Sequence, residues 1–233
     1  MKSGQNTERI DFIKKNMNED LHKLSLKKSS YSKTEFLEIL NEIKCRQKLK
    51  EKFPSWAENF LLQMPKPENI EQSSSFETAQ FKSQIYKFTS SLDLSAGFGI
   101  DSYFFALHSE NHTAIEPNSN LYNILKNNFK ALHINNSFFI NQDADTFLNK
   151  NSLKYDLVFI DPSRRNNLGQ RKIDLNDYEP NIISLFQKIK KTCRYLIVKL
   201  SSMLDFTFLK NQFPEINRFY IISIDGECKE ILL

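Results

Sequence analysis

Asp93-Leu94-Ser95-Ala96-Gly97-Phe98-Gly99 is the stretch that decides the fold of this 233-residue chain. It ends a short run of strand-forming residues and precedes an apolar segment with helical character. Two of the chain's five glycines stand here, separated by one residue. Glycine has no Cβ, so a strand, a Gly-x-Gly turn and a helix let backbone approach a ligand closely. The stretch predicts the first βα turn of a nucleotide-binding α/β domain, with an ordinary βα turn as the alternative.

Short runs of β-branched and aromatic residues alternate with helical stretches after residue 90. They predict seven strands, at residues 91–95, 113–116, 137–141, 155–161, 195–200, 218–224 and 230–233. The first five are separated by intervals long enough for a crossover helix, which predicts a parallel sheet with helices on both faces. The last two are separated by five residues only, which predicts a hairpin. We therefore expect a mostly parallel, seven-stranded sheet with a terminal antiparallel hairpin, unlike the six parallel strands of a dehydrogenase domain.

The N-terminal third has a different pattern. Apolar residues recur at helical spacing between residues 8 and 62, which predicts a small helical domain. The connector Met64-Pro65-Lys66-Pro67 is stiff because proline restricts φ, and it marks a domain junction. We therefore predict an N-terminal helical domain at residues 1–68 and a catalytic α/β domain at residues 69–233.

Local signals place the ends of three helices. Ser32 or Thr34 can cap the second N-terminal helix, and Pro54 ends that helix. Ser74-Ser75-Phe76-Glu77 has the S-x-x-E form of a capping box, which predicts a helix that runs to about residue 86.

Composition limits the class of protein. Hydrophobic residues make up 40% of the chain and charged residues 26%, as in soluble globular proteins. Three cysteines without a CxxC pair indicate a reducing compartment, and no metal-binding constellation is expected. No apolar run reaches the roughly 18 residues of a membrane span, and the polar N-terminus is not a signal peptide, so a cytoplasmic protein is expected.

The net charge of +4 is unevenly distributed. Residues 1–70 contain 14 Lys and Arg against 10 Asp and Glu, whereas residues 71–233 contain 18 of each kind. A basic excess at one end of a chain favours a phosphate-rich partner such as a nucleic acid. A solvated helical surface is the alternative.

Acidic residues follow the second and third predicted strands. Glu116 stands about 17 residues beyond the glycines, where a carboxylate can accept hydrogen bonds from both ribose hydroxyls. NAD sites use such a residue too, so Glu116 indicates an adenosine-type cofactor without choosing between the two; an exposed strand-end glutamate is the alternative. Asp143 can accept a hydrogen bond from the adenine amine, and Ala144 leaves room for the ring. Dehydrogenases have no regular counterpart of Asp143.

The glycine loop itself favours S-adenosylmethionine over a dinucleotide. The third glycine of the GxGxxG fingerprint is replaced by Ser102, and a pyrophosphate needs that helix N-terminus free. S-adenosylmethionine has no phosphate but has an ammonium group, which Asp93 is placed to meet. Ser95, Gly97 and Gly99 complete the predicted cofactor loop.

Asp161-Pro162 ends the fourth predicted strand and is the predicted catalytic turn. The carboxyl edge of an open α/β sheet is where ligands bind, and proline fixes the turn there. Related Asp-Pro-Pro and Asn-Pro-Pro turns belong to methyltransferases that act on nucleobase nitrogens, where the polar side chain accepts hydrogen bonds from the target amine. Ser163 replaces the second proline, and no aromatic residue follows that would stack on a base.

Basic residues follow this turn and predict contact with a phosphate-bearing substrate. Arg164, Arg165, Arg171 and Lys172 place four cations within nine residues. The alternative is a flexible basic loop balanced by the acidic residues at its far end. Lys199, at the end of the fifth predicted strand, is a further candidate for the substrate side, with a structural role as the alternative.

These residues together resemble a family of bacterial class I methyltransferases that carry a THUMP-like domain after the catalytic domain. The resemblance runs from about Phe12 to the last residue. Its most specific pieces are Arg46-Gln-Lys48 with Pro54-Ser-Trp56, Glu71-Gln-Ser-Ser-Ser75 with Glu77-Thr-Ala79, Asp93 to Ser102, Asp161-Pro-Ser-Arg-Arg165, and Gly226-Glu-Cys-Lys-Glu230. The segment 71–79 is also similar to its counterpart in trimethylguanosine synthases, which methylate the exocyclic amine of guanine.

The resemblance implies a Rossmann-like class I methyltransferase fold, S-adenosylmethionine as cofactor and a structured RNA substrate, tRNA or rRNA. The THUMP-like domain that would follow Leu233 is expected to be missing from this chain. Three alternatives stay open at this point: a non-catalytic protein that binds S-adenosylmethionine and RNA, a small-molecule methyltransferase, and an NAD-dependent oxidoreductase.

Overall fold

A computed structural model of the chain describes residues 2–27, 29–164, 175 and 178–233. The strands in this part of the chain are β1 (Ser90–Asp93), β2 (Asn111–Ile115), β3 (Ser137–Ile140), β4 (Tyr155–Ile160), β5 (Ser163–Arg164), β6 (Tyr178–Glu179), β7 (Cys193–Ser201), β8 (Tyr220–Ile224) and β9 (Glu227–Leu232). The short strands β5 and β6 form an antiparallel pair of their own, and the other seven form one sheet.

The large sheet has the order β3-β2-β1-β4-β7-β9-β8. The first five strands in this order are parallel, and β9 is antiparallel to both of its neighbours. The predicted sheet and its terminal hairpin are thereby confirmed. Because β2 lies on one side of β1 and β4 on the other, the carboxyl ends of β1 and β4 flank a topological switch point, where open α/β sheets bind ligands.

The terminal hairpin turns within two residues. Asp225 and Gly226 both have left-handed backbone, with φ of 52° and 79°, as a type I′ turn requires. This turn is tighter than the five-residue connection expected from sequence, so β9 begins at Glu227 instead of residue 230. The longer strand pairs Glu230 with Ser201 at the carboxyl end of β7.

Helices cover both faces of the sheet. Those described are α1 (Lys2–Asn16), α2 (Leu21–Ser25), α3 (Lys33–Lys52), α4 (Pro54–Ala57), α5 (Pro67–Gln72), α6 (Phe76–Gln84), α7 (Ile100–Leu107), α8 (Ser119–Ala131), α9 (Ala144–Lys150), α10 (Ile182–Thr192) and α11 (Phe206–Gln212). Alternate residues of β4 face opposite ways: Val158 packs in the cluster with α9 and α10, whereas Phe159 packs against α7. This period of two is what a strand buried on both faces shows.

The N-terminal helices pack directly on α7. Trp56 of α4 lies edge-on to Phe98, with 5.5 Å between ring centroids, and Phe53 stacks on Phe104 at 5.8 Å. The apolar cluster that contains these rings therefore continues from α3 and α4 into the glycine loop and α7. The predicted boundary at residue 68 falls within α5, and the division into two domains stays a prediction.

One helix cap predicted from the sequence agrees with the structure, and another does not. Ser32, and not Thr34, caps α3, in a capping box that Glu35 completes. The cap of α6 is Ser75 rather than Ser74, so the predicted S-x-x-E box at residues 74–77 is wrong by one residue. The hydroxyl of Ser74 is instead engaged in tertiary hydrogen bonds with charged side chains.

Arg46, which belongs to the motif that carries the resemblance, has a structural place. It is wholly buried, and its guanidinium donates to the carbonyl oxygens of Ala57, Asn59 and Leu62 at 2.8–3.2 Å. Buried carbonyls need such donors, so Arg46 ties the chain that follows α4 to α3.

Candidate active site

One cavity of about 750 Å³ opens at the carboxyl edge of the sheet. Its size lies within the range of small-molecule and cofactor sites. The lining residues come from the glycine loop, the ends of β2 and β4, the turn before α9, the start of α10, and α5, which contributes Asn69 and Gln72. The structure thus brings together, around one space, the loop and the strand ends that the sequence singled out separately.

The glycine loop is shaped by two left-handed residues. Gly97 and Gly99 have φ of 55° and 93°, values that L side chains rarely adopt. A Cβ on Gly99 would overlap Leu125 Cδ1 and come within 3.1 Å of Phe129, both on α8. Gly99 therefore lets the loop pack closely on α8, whereas a Cβ on Gly97 would meet nothing nearer than 3.9 Å.

Asp93 lies behind the loop. Its carboxylate is wholly buried, accepts hydrogen bonds from Ser95 N at 2.9 Å and Ser102 Oγ at 2.6 Å, and is not part of the cavity wall. Burial raises the pKa of Asp93 to about 7, against the hydrogen bonds from Ser102 and Ser95, which favour the charged form. Because Asp93 does not line the cavity, the predicted direct contact with a ligand ammonium is not preformed, and the carboxyl group instead braces the loop from beneath.

Ser102, which replaces the third glycine of a dinucleotide fingerprint, makes a hydrogen bond that glycine cannot make. Its hydroxyl holds Asp93 Oδ2, so the loop and the first turn of α7 are tied together by a side chain that glycine lacks. The sequence flagged this position only as a missing glycine.

Ser95 connects β1 to the predicted catalytic turn. Its Oγ accepts a hydrogen bond from Asp161 N at 2.7 Å. Because Ser95 N donates to Asp93, the backbone ends of β1 and β4 are joined through one residue. Ser95 and Asp161 both line the cavity.

Glu116 directly follows β2 and lines the cavity. Gly97 N donates to its Oε2 and Asn118 N to its Oε1, each at 2.8 Å. Burial raises the pKa of Glu116, and these two backbone N–H groups oppose that rise. A carboxylate oxygen has two lone pairs, so each oxygen can accept one further hydrogen bond.

Asp143 and Ala144 also line the cavity, at the turn into α9. Asp143 is the N-cap of α9, with Oδ1 accepting from Thr146 N and Oδ2 from Thr146 Oγ1. These hydrogen bonds lower its pKa despite some opposing burial. The sequence did not indicate the capping role, which fixes the orientation of the carboxylate.

Asp161 and Lys199 form an ion pair at the ends of two neighbouring strands. Lys199 Nζ lies 2.5 Å from Asp161 Oδ2. Asp161 lines the cavity, whereas Lys199 is not part of its wall. The carboxylates of Asp161, Asp101 and Glu230 raise the pKa of Lys199, although burial acts against its charge. Pro162, which follows Asp161, is buried.

The predicted substrate loop is described only in part. Ser163 lines the cavity and pairs with Glu179 across β5 and β6. Arg164 pairs through its backbone with Tyr178. Its side chain, and Arg165, Arg171 and Lys172, lie outside the described residues.

Sequence reasoning missed a buried group of charges beside the cavity. Lys82 of α6 is wholly buried and lies 2.9 Å from Asp101 Oδ1 and 2.8 Å from Glu230 Oε1. Ser74 Oγ donates to Asp101 and accepts from Lys82. Asp101 and Glu230 stand in segments that carry the resemblance, but no spacing in the sequence connects them with Lys82.

The described residues fit an adenosine-type cofactor such as S-adenosylmethionine. The cavity has a carboxylate with free lone pairs in Glu116 and an open position at Gly97. Asp101, in the first turn of α7, also lines the cavity, and its carboxylate is paired with Lys82.

Two kinds of feature are absent from the described part of the chain. None of the helices there is both long and apolar enough to cross a membrane. No cluster of three or more His, Cys, Asp or Glu side chains able to hold a metal ion occurs among the described residues.

Comparisons with known proteins agree with this architecture. A family model described as "Conserved hypothetical protein 95" matches residues 65–177, just under half of the chain. No curated protein matches the sequence. A "putative methyltransferase" from Porphyromonas gingivalis W83 is 24% identical, with a TM-score of 0.76 over 98% of this chain and 57% of that one. A "putative SAM-dependent methyltransferase" from Streptococcus mutans is 11% identical, with a TM-score of 0.51 over 67% of this chain and 46% of that one.

The chain thus spans a little over half the length of the Porphyromonas protein, and the THUMP-like domain stays a prediction. The strand order, the hairpin and the site at the switch point, together with these neighbours, establish that the chain has the Rossmann-like fold of class I methyltransferases.

Proposed function

We propose that this chain is an S-adenosylmethionine-dependent methyltransferase that modifies a nucleobase nitrogen in structured RNA, tRNA or rRNA. The observation that carries the proposal is the cavity lined by the Gly97 loop, Glu116 and Asp161. It combines features of an adenosine-type cofactor site with a polar catalytic turn at the switch point of the sheet.

We assign the cofactor side of the site to four residues: Glu116, Asp143 and Ala144 line the cavity, and Asp93 lies behind the glycine loop. Glu116 accepts hydrogen bonds from the ribose hydroxyls through the lone pairs that Gly97 N and Asn118 N leave free. Asp143 accepts from the adenine amine, and Ala144 makes room for the ring. Asp93 acts on the amino acid part of the cofactor through its charge beneath the loop.

On the substrate side, Asp161 and Ser163 line the cavity, and the buried Pro162 between them fixes the turn. Bound S-adenosylmethionine supplies an electrophilic methyl group, so the protein's contribution is positioning and exclusion of water. Asp161 accepts a hydrogen bond from the target amine and directs the nitrogen lone pair toward the methyl carbon. On methylation the nitrogen would lose one proton, which Asp161 or solvent would accept.

The RNA substrate is supported by charge and by the catalytic turn. The basic excess lies in residues 1–70, and four further cations at Arg164, Arg165, Arg171 and Lys172 follow Asp161. Phosphate contacts of this kind position a nucleic acid, while the turn at Asp161-Pro162 faces the base.

Two experiments test the proposal. Calorimetric titration with S-adenosylhomocysteine and, separately, with NAD is expected to show binding of the first only; preference for NAD would refute the cofactor assignment. Tritiated methyl transfer to total tRNA and rRNA from cells lacking the protein, followed by mass spectrometry of nucleosides, is expected to reveal one modified base. Asp161→Ala is the inactive control. If the wild-type chain is as inactive as this variant while still binding S-adenosylhomocysteine, a non-catalytic binding protein is the better description.

A further inference from the structure

Lys199 lies on the side of the catalytic turn that faces away from the cavity. Asp161 follows Ile160 of β4, and Ile160 pairs in register with Val198 of β7, so Asp161 and Lys199 lie side by side. The Nζ–Oδ2 distance is 2.5 Å, and the two side chains are 12% exposed for Lys199 and 28% for Asp161. Only Asp161 is part of the cavity wall. The ammonium therefore contacts the far side of the carboxylate and not the space where a substrate enters.

A second layer of charges surrounds the ammonium of Lys199. Glu230 of β9 lies 4.0 Å from Lys199 Nζ and 2.8 Å from Lys82 Nζ, and Lys82 in turn contacts Asp101. The signs alternate along this path, from Asp161 through Lys199, Glu230 and Lys82 to Asp101. Buried charges are tolerated only when they are paired and hydrogen-bonded, so each member of the row depends on its neighbours.

The charge on Lys199 is already matched within the protein. Neighbouring carboxylates raise its pKa against the effect of burial, so it stays protonated at neutral pH and is not a proton acceptor. A substrate phosphate would have to compete with Asp161 and Glu230 for the ammonium. The sequence-based interpretation of Lys199 as a substrate-binding cation is therefore less favoured than a role exerted through Asp161.

We infer that Lys199 is a positioning residue that holds Oδ2 of Asp161, so that Oδ1 is the oxygen left to accept a hydrogen bond from the target amine. Among the described residues, Oδ1 has no hydrogen-bond partner, and Asp161 lines the cavity. The inference rests on the proposed function, because the target amine belongs to that proposal. Glu230 and Lys82 then stabilise the Lys199–Asp161 ion pair, which gives a reason for the row of alternating charges beside the catalytic turn.

The test is a double-mutant cycle in methyl transfer. Lys199→Met, Lys199→Arg, Asp161→Asn and the double variant Lys199→Met/Asp161→Asn are compared with wild type, using S-adenosylmethionine and total tRNA and rRNA. We expect Lys199→Met to lower kcat by about 30-fold or more, as misplacement of a reacting group does. Lys199→Arg restores most of that loss, because it keeps the charge. S-adenosylhomocysteine affinity changes less than about threefold in Lys199→Met, since Lys199 does not line the cavity.

The coupling between the substitutions at Lys199 and Asp161 distinguishes a positioning role of Lys199 from substrate binding. If Lys199 acts through Asp161, the double variant is no more than about threefold slower than Asp161→Asn alone. If the reductions in kcat of the two single variants multiplied in the double variant, the inference would be overturned. A raised KM with unchanged kcat in Lys199→Met would also overturn it, because Lys199 would then bind substrate. Lys210→Met, an exposed lysine on α11, is the matched control.

A second double-mutant cycle, measured by unfolding, tests the inference even if no methyl transfer is detected. Urea unfolding of wild type, Lys199→Met, Asp161→Asn and the double variant is expected to show that the midpoint shifts of the two single variants add up to more than the shift of the double variant. Additive shifts would overturn the ion pair and with it the inference. A wild-type chain that transfers no methyl group but shows this coupling would refute the proposed function while retaining the pair.

Discussion

Replacing Asp93 by asparagine tests whether a buried carboxylate under the glycine loop destabilises the folded chain at neutral pH. Asp93 is wholly buried, and burial raises its pKa to about 7, compared with 3.8 in an unperturbed chain. A group whose pKa is higher in the folded state stabilises that state at low pH, and this contribution disappears as the pH rises through the folded value. The asparagine side chain of the variant does not titrate, so the variant lacks this dependence.

The magnitude follows from the two pKa values. A difference of one in pKa corresponds to about 1.4 kcal/mol, so full ionisation of Asp93 costs the folded state about 4 kcal/mol. The same values give a loss of about 2 kcal/mol in the free energy of unfolding between pH 5.5 and pH 8. We expect the asparagine variant to gain about 2 kcal/mol on wild type over this interval.

Urea denaturation of both proteins at pH 5.5, 6.5, 7.2 and 8 measures the effect as a difference between proteins. The comparison is necessary because His112 is also wholly buried, and desolvation lowers its pKa to about 3. Neutral His112 lowers stability as the pH falls below its unfolded value of 6.5, opposite in sign to Asp93. His112 is present in both proteins and cancels in the difference. A difference between variant and wild type that stays constant with pH would refute the reasoning about Asp93.

Three further predictions concern the glycine loop and Glu116, which accepts a hydrogen bond from Gly97 N. Binding of S-adenosylhomocysteine to wild type is expected to strengthen up to about tenfold from pH 6 to pH 8, because a ligand ammonium favours ionised Asp93; calorimetry should show this rise, and no rise in Asp93→Asn. Gly99→Ala is expected to lower the free energy of unfolding by about 2–4 kcal/mol, through overlap with α8 and left-handed backbone. Gly226→Ala, with φ of 79° and nothing within 4 Å, should cost only about 1 kcal/mol; equal losses would contradict the packing argument. Glu116→Gln is expected to weaken S-adenosylhomocysteine binding by about 10- to 100-fold, because an amide nitrogen then faces a backbone N–H and one acceptor is lost. The exposed Glu110→Gln should bind like wild type, and an unaffected Glu116→Gln would remove the ribose assignment.

The sequence by itself determined the sheet and the edge at which the site lies. Alternating strand and helix patterns, long intervals and a final short turn specified five parallel strands and a hairpin, because local periodicity and crossover length leave few topologies. The positions of Glu116 and Asp161 at strand ends followed from the same reasoning, since parallel strands present their carboxyl ends at one edge.

Some local signals were ambiguous because several residues could satisfy them. Ser74 and Ser75 both precede α6, and only the tertiary contacts of Ser74 with Asp101 and Lys82 left the cap to Ser75. Asp143 likewise showed its acidic character in the sequence but not its capping bond to Thr146.

Tertiary structure alone decided which charges meet. Lys82 and Glu230 are separated by 148 residues, and Asp161 and Lys199 by 38. Such pairs arise where α6 covers the sheet and where β7 lies between β4 and β9, and no periodicity within one segment records a partner on another. The sequence therefore located Asp161 at the predicted catalytic edge. The fold determined that the partly buried ammonium of Lys199 holds it there, because a charge that loses hydration needs a partner.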